Sequence, residues 1–335
     1  MTNKERVRRT LTHQQPDRTP YQIGFTAKAI QRMIAYCGDD SFLQQMDNCF
    51  HGVGASPGPE TEWLAENLWQ DEFGVQWDRS VDRDIGNVCN AVIPERDLSH
   101  WEPPDPDAPD RFEGFAEKCA AGENKCVQFA IGFSLFERAW TLRGSMATLM
   151  VDMLDAPGFV GELLDALCDY NVSLVKRAVG YDVDAVHFGD DWGHQKGLLI
   201  SPQLWERFLA PRLARQYAAA KQAGKFVTIH SCGKVDSLLP RLIELGLDCF
   251  NPFQPEVMDV YAMKRLYGDR LSFWGGVGTQ ELLPHATPDD VKAEARRLMS
   301  EVGAGGGYIL APAHAIPGDA KPENVLALIE TARGG

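Results

Sequence analysis

Three residues near the middle of the chain carry the strongest chemical signal: His230-Ser231-Cys232. They end an apolar run, Phe226-Val227-Thr228-Ile229, and are followed by Gly233. In a strand, side chains two apart share a face. Phe226, Thr228, His230 and Cys232 are therefore expected on one face, with an imidazole and a thiol side by side at the strand's C-terminal end. Gly233 allows a sharp turn there. An imidazole and a thiolate are half of a tetrahedral zinc site. A third ligand is needed, and elements that bring it to the same place.

Those elements follow from the rhythm of the chain. Apolar runs at 127–131, 184–189, 226–230, 248–251, 271–275 and 307–311 alternate with stretches of helical periodicity, and Tyr21–Phe25 is read as the first strand. Such alternation predicts a parallel sheet. No GxGxxG follows the first strand, and no Walker-type loop is present, so nucleotide-binding folds lack their signature. The expected fold is a (β/α)8 barrel of TIM type, spanning residues 1–335 as one domain. Residues 39–110, rich in Gly and Pro, are expected to be an irregular elaboration on it. A Phe73–Asp78 and Val88–Ile93 hairpin is read within them.

In a barrel, chemistry collects at the C-terminal ends of strands. Read there, His314 is the natural third ligand. One thiolate and two imidazoles leave a fourth position for water or substrate. Asp190 and Asp191 follow the 184–189 strand. They have three open roles: orienting a metal-bound histidine, general acid/base work, or capping the next segment. Gln254 lies in a rigid Pro-flanked loop, where it bonds substrate or simply packs. Glu137 and Arg138 are read as an internal ion pair below the rim. The run Gly303–Gly307 precedes a strand rather than a helix, so it is read as a turn and not as a phosphate cradle. His187, His194 and His285 are read as surface or packing residues.

Composition narrows the class. The 335 residues are 44% hydrophobic and 24% charged, ordinary for a globular protein, with a formal net charge of −14. That acidity argues against a nucleic-acid partner. No apolar run reaches the length of a membrane span, and the N-terminus has no signal-like apolar region. The eight cysteines are scattered without a CxxC pair, which suggests reduced thiols and a cytoplasmic setting.

Taken together, Gly189-Asp190-Asp191-Trp192-Gly193, His230-Ser231-Cys232-Gly233, Asn251-Pro252-Phe253-Gln254-Pro255, Gly275-Gly276 and Gly306–Pro312 resemble the uroporphyrinogen decarboxylase superfamily. The resemblance runs from about Val127 to the C-terminus and implies a (β/α)8 barrel. True decarboxylases of this kind carry Arg-Gln-Ala-Gly-Arg-Tyr after the first strand to hold substrate carboxylates. Here that stretch is Tyr21-Gln22-Ile23-Gly24-Phe25-Thr26-Ala27-Lys28, without arginine. The other branch comprises zinc-dependent, corrinoid-linked methyltransferases with a His-x-Cys pair and a late Cys. His230 and Cys232 match, whereas His314 stands where the late Cys is expected.

The resemblance thus implies a methyltransferase or demethylase. It would hold zinc on His230, Cys232 and His314, with Asp190, Asp191 and Gln254 at the substrate. It would work on a small-molecule substrate with a corrinoid carried by a separate protein. Homodimers are common in the family. Two alternatives stay open: a metal-free lyase acting on a carboxylate, and a non-catalytic protein that captures a tetrapyrrole or corrinoid.

Overall fold

The computed structural model of the chain describes residues 1–334. Strand β1 is Phe50–Val53. Four short strands follow: β2 (Glu62–Ala65), β3 (Leu68–Gln70), β4 (Gln76–Asp78) and β5 (Asn87–Val88). Next come β6 (Cys126–Ile131), β7 (Ala185–Gly189) and a small ribbon of β8 (Gly193–His194) with β9 (Gly197–Leu198). The last four are β10 (Phe226–His230), β11 (Cys249–Phe253), β12 (Ser272–Val277) and β13 (Tyr308–Pro312).

Seven of these form one curled parallel sheet in the order β1-β6-β7-β10-β11-β12-β13. Neighbours in the sheet are successive in the chain apart from the small side strands, and helices connect most of them, as in a TIM-type fold. Strands covered on both faces read as continuous apolar runs. That is why β11 and β13, buried at every position, were visible in the sequence.

The expected first strand is different. Tyr21–Phe25 meets the sheet only at isolated bridges, Tyr21 to Leu310 and Phe25 to Ile316. It nonetheless touches both edges. The Gln22 N–H donates to the Leu310 carbonyl, and the Cys49 N–H donates to the Tyr21 carbonyl. On the β1 side, side chains replace the ladder. Asn48 accepts from the Ile23 N–H and donates to the Ile23 carbonyl, each at 2.9 Å, and the Phe50 N–H donates to Gln22 Oε1 at 3.0 Å.

Residues 39–110 are also more ordered than expected. They contain β1, which belongs to the central sheet, and the antiparallel sheet β2-β3-β4-β5. The anticipated hairpin appears as β4 against β5, with Trp77 opposite Val88. The stretch between β9 and β10 holds two helices, Pro202–Phe208 and Ala210–Lys221. Pro211 has no N–H to donate and marks the break.

Helix Asn3–Leu11 closes the N-terminal end of the sheet. Val7 and Leu11 pack there on Cys49, Cys126, Cys249 and Ile309. All eight cysteines are free. The opposite end of the sheet, where the strands finish, remains open to loops. No helix among the described residues is long and apolar enough to cross a membrane.

Candidate metal centre

The open end collects the residues singled out above. β10 delivers His230 at its last position, and Cys232 follows two residues later. Cys232 Sγ lies 3.2 Å from His230 Nε2. Gly233 has φ +84°, and a Cβ there would stand 2.3 Å from the Gly193 carbonyl carbon. The turn can therefore press against the β8–β9 ribbon only because position 233 lacks a side chain. His314, two residues beyond β13, brings its ring to 5.6 Å from that of His230. Ligand atoms of His230, Cys232 and His314 all lie within 4.8 Å of one another.

Zinc bonds of about 2.0–2.3 Å place neighbouring donors of a tetrahedron roughly 3.3–3.8 Å apart. The His230–Cys232 pair is close to that spacing, and the exposed His314 has a ring nitrogen within 4.8 Å of both, as the third donor. The orientation of His230 is fixed from behind. Its Nδ1 lies 2.6 Å from Asn251 Oδ1, while Asn251 Nδ2 donates to the Trp274 carbonyl at 3.0 Å. With its amide held in this way, Asn251 accepts from Nδ1–H and leaves the Nε2 lone pair facing Cys232 and His314. Burial pushes the His230 pKa down, and it pushes the Cys232 thiol up, aided by the nearby Asp191 carboxylate. A bound cation would reverse the second effect. The donor set and its spacing fit zinc.

The paired carboxylates separate into two roles. Asp190 is fully buried. It accepts from the backbone N–H groups of Leu135, Phe136 and Glu137 at 3.3, 3.0 and 2.9 Å, and from Trp192 Nε1 at 2.7 Å. These donors hold the start of helix Phe136–Leu142. Burial pushes its pKa up to about 6, against the pull of those hydrogen bonds. Asp191 is only half-buried and faces the centre. Its Oδ1 accepts from the Cys232 N–H at 2.8 Å and lies 3.9 Å from His230 Nε2.

Glu137 and Arg138 do not pair with each other. Arg138 binds Asp71 from the loop between β3 and β4, and its guanidinium lies 4.2 Å from the Phe73 ring centroid. Glu137 instead lies beside the two aspartates. Burial, then Asp191 and Asp190, raise its pKa well above the carboxylate range.

A cavity of about 440 Å³ opens over the centre, with Cys232, Gln254, Thr279 and His314 in its wall. Gln254 is thus placed at the site. Asn251, Thr279 and Glu137 had no assigned function in the sequence. Asn251 ends its part of β11 beside β10, and Thr279 stands two residues past β12. Both belong to the strand-end positions where a barrel keeps its chemistry, which was the available signal.

A uroporphyrinogen decarboxylase of Methylococcus capsulatus is 27% identical over 217 residues, covering 60% of this chain and 57% of that protein. A methylated-thiol–coenzyme M methyltransferase of Methanosarcina mazei is 25% identical over 139 residues, covering 41% and 35%. The chain thus spans little more than half, or about a third, of the length of these curated relatives. A solved methyltransferase from Methanosarcina mazei shares the fold at a TM-score of 0.73 and 18% identity, covering 100% of this chain and 99% of that one. Residues 73–334 match the pattern of the family described as "Uroporphyrinogen decarboxylase (URO-D)", and the chain belongs to that family.

Proposed function

We propose that this protein is a metal-dependent methyltransferase that moves a methyl group between a small thiol and a corrinoid carried by a separate protein. One observation carries the reading. A cysteine and two histidines converge within 4.8 Å, and two of them, Cys232 and His314, line an open cavity. Zinc bound there supplies Lewis acidity, lowering the pKa of a coordinated thiol so that it reacts as thiolate.

The chain's own residues do the rest. Asn251 aims His230, and Asp191 holds the backbone of Cys232. Asp190 fixes the helix that carries Glu137. The named relatives include a methyltransferase acting on methylated thiols, which supports the same chemistry. Decarboxylation of a polycarboxylate is disfavoured, because no Lys or Arg lines the cavity and such a substrate needs cationic clamps.

The expected metal content is about one zinc per chain, abolished in Cys232→Ala. The zinc-loaded protein is expected to transfer methyl groups from methylcobalamin to a small thiol. Full transfer by a preparation stripped of metal would refute the reading.

A further inference from the structure

Four adjacent strands, β10 to β13, each send one residue from just beyond or near their ends into the same cavity wall: Cys232, Gln254, Thr279 and His314. The outer two belong to the metal centre. The inner two have no task within the protein. Gln254 is 6% exposed and Thr279 7%. Neither side chain makes a hydrogen bond to another described residue, although both line the cavity. The contrast is Asn251, also 8% exposed, whose amide is engaged at both ends. Their polar atoms reach the cavity's water, and a ligand that displaces this water must return its hydrogen bonds or lose affinity.

We infer that Gln254 and Thr279 bind the far end of the thiol, and that this end is an uncharged carboxamide. The inference rests on the methyl-transfer reading and deepens it. A side-chain amide presents one acceptor and one donor group, and a ligand amide returns both in complementary order. The threonine hydroxyl can serve as either donor or acceptor.

Charge points the same way. An anionic tail would lose its water in a wall whose described residues include no Lys or Arg. An ammonium tail would find a single carboxylate in that wall, Asp319, which is exposed at the rim. The cavity, about 440 Å³, sits at the small end of the range of roughly 300–1,000 Å³ for small-molecule sites.

The test uses full-length protein loaded with Co(II) in place of zinc, titrated with four thiols. N-acetylcysteamine carries an amide, 3-mercaptopropionate an anion, cysteamine a cation, and propanethiol no polar tail. Binding is read from the added intensity and shift of the thiolate-to-cobalt absorption band, to which Cys232 already contributes. N-acetylcysteamine is expected to bind most tightly. Gln254→Leu and Thr279→Val should each weaken it about threefold to tenfold while leaving propanethiol unchanged. Equal or tighter binding of the charged thiols overturns the inference, as does an equal loss for propanethiol in the variants. If cobalt binds but no thiol changes the band, the underlying methyl-transfer reading fails, and this inference with it.

Discussion

His230 Nδ1 and Asn251 Oδ1 stand 2.6 Å apart, the end of one strand bonded to its neighbour. The two residues are register partners in the parallel ladder, so the sheet itself sets the tilt of the imidazole. A carbonyl oxygen behind a ligating histidine fixes its tautomer and raises its basicity. Asn251→Ala should therefore weaken zinc binding about 10- to 100-fold without removing any ligand. Asn251→Asp keeps an acceptor and should retain most of the affinity. Competition with a chromophoric chelator measures both. Equal affinity in wild type and Asn251→Ala would show that the imidazole is aimed by something else.

Asp190 and Asp191 invite opposite outcomes. In Asp190→Asn, one oxygen becomes an NH2 group facing two N–H donors. The loss is expected to be about 1–3 kcal/mol of stability, with zinc stoichiometry intact. In Asp191→Asn, stability should change little, because the residue is half-buried and the amide oxygen can still accept from the Cys232 N–H. The effect should fall on thiol reactivity beside Cys232. Urea melts and zinc content, run on both variants, separate the roles. A metal-deficient but fully stable Asp190→Asn would reverse the assignment.

His187 is expected to make the fold acid-sensitive. Its Nδ1 lies 2.7 Å from Thr228 Oγ1, and burial, with a smaller contribution from His230, pushes its pKa down to about 3. The sign follows from proton counting. Between pH 6.5 and 3 the unfolded chain takes up a proton that the folded chain refuses. The stability tied to neutral His187 is thus complete above 6.5 and is lost as pH falls, by at most about 1.4 kcal/mol per pH unit. His187→Asn should remove this slope. Denaturant melts from pH 7 to pH 4 should show the two proteins running parallel above 6.5, with the wild type falling away below it. Identical curves throughout would mean that the imidazole is hydrated in the folded state.

The sequence made the His230–Cys232 pair legible because strand period two is a local rule, and His314 because it also follows a strand. The central strands β6, β7 and β10 to β13 were legible as apolar runs. What could not be read depends on contacts between distant segments. Arg138 finds Asp71 rather than its neighbour Glu137, across 67 residues. Asp190 and Asp191 are adjacent, yet successive residues point to opposite sides, and only packing says which one enters the interior. β1 lies in a Gly-rich stretch, and its ladder to Tyr21–Phe25 is completed by the side chains of Asn48 and Gln22, a pattern without periodicity.

Gly233 is where backbone geometry and site meet most tightly. With φ at +84°, any L side chain is strained there, and the new Cβ would fall 2.3 Å from the Gly193 carbon and 2.5 Å from the His194 nitrogen. Both are backbone atoms, so no rotamer change relieves the contact. Either the β8–β9 ribbon moves outward or the 231–234 turn does. The turn is tied to the ribbon by the Lys234 N–H donating to the His194 carbonyl, and to the strand end by the Cys232 N–H on Asp191. Gly233→Ala should therefore displace Cys232 relative to His230. The expected result is a loss of zinc affinity larger than that of Asn251→Ala, together with destabilisation of at least about 1 kcal/mol from the left-handed backbone alone. Thermal melts in the presence and absence of zinc check both parts, because the stabilisation that zinc gives the wild type should shrink in the variant. An undiminished zinc-dependent rise in Tm would mean that the turn is free to relax without moving the thiol.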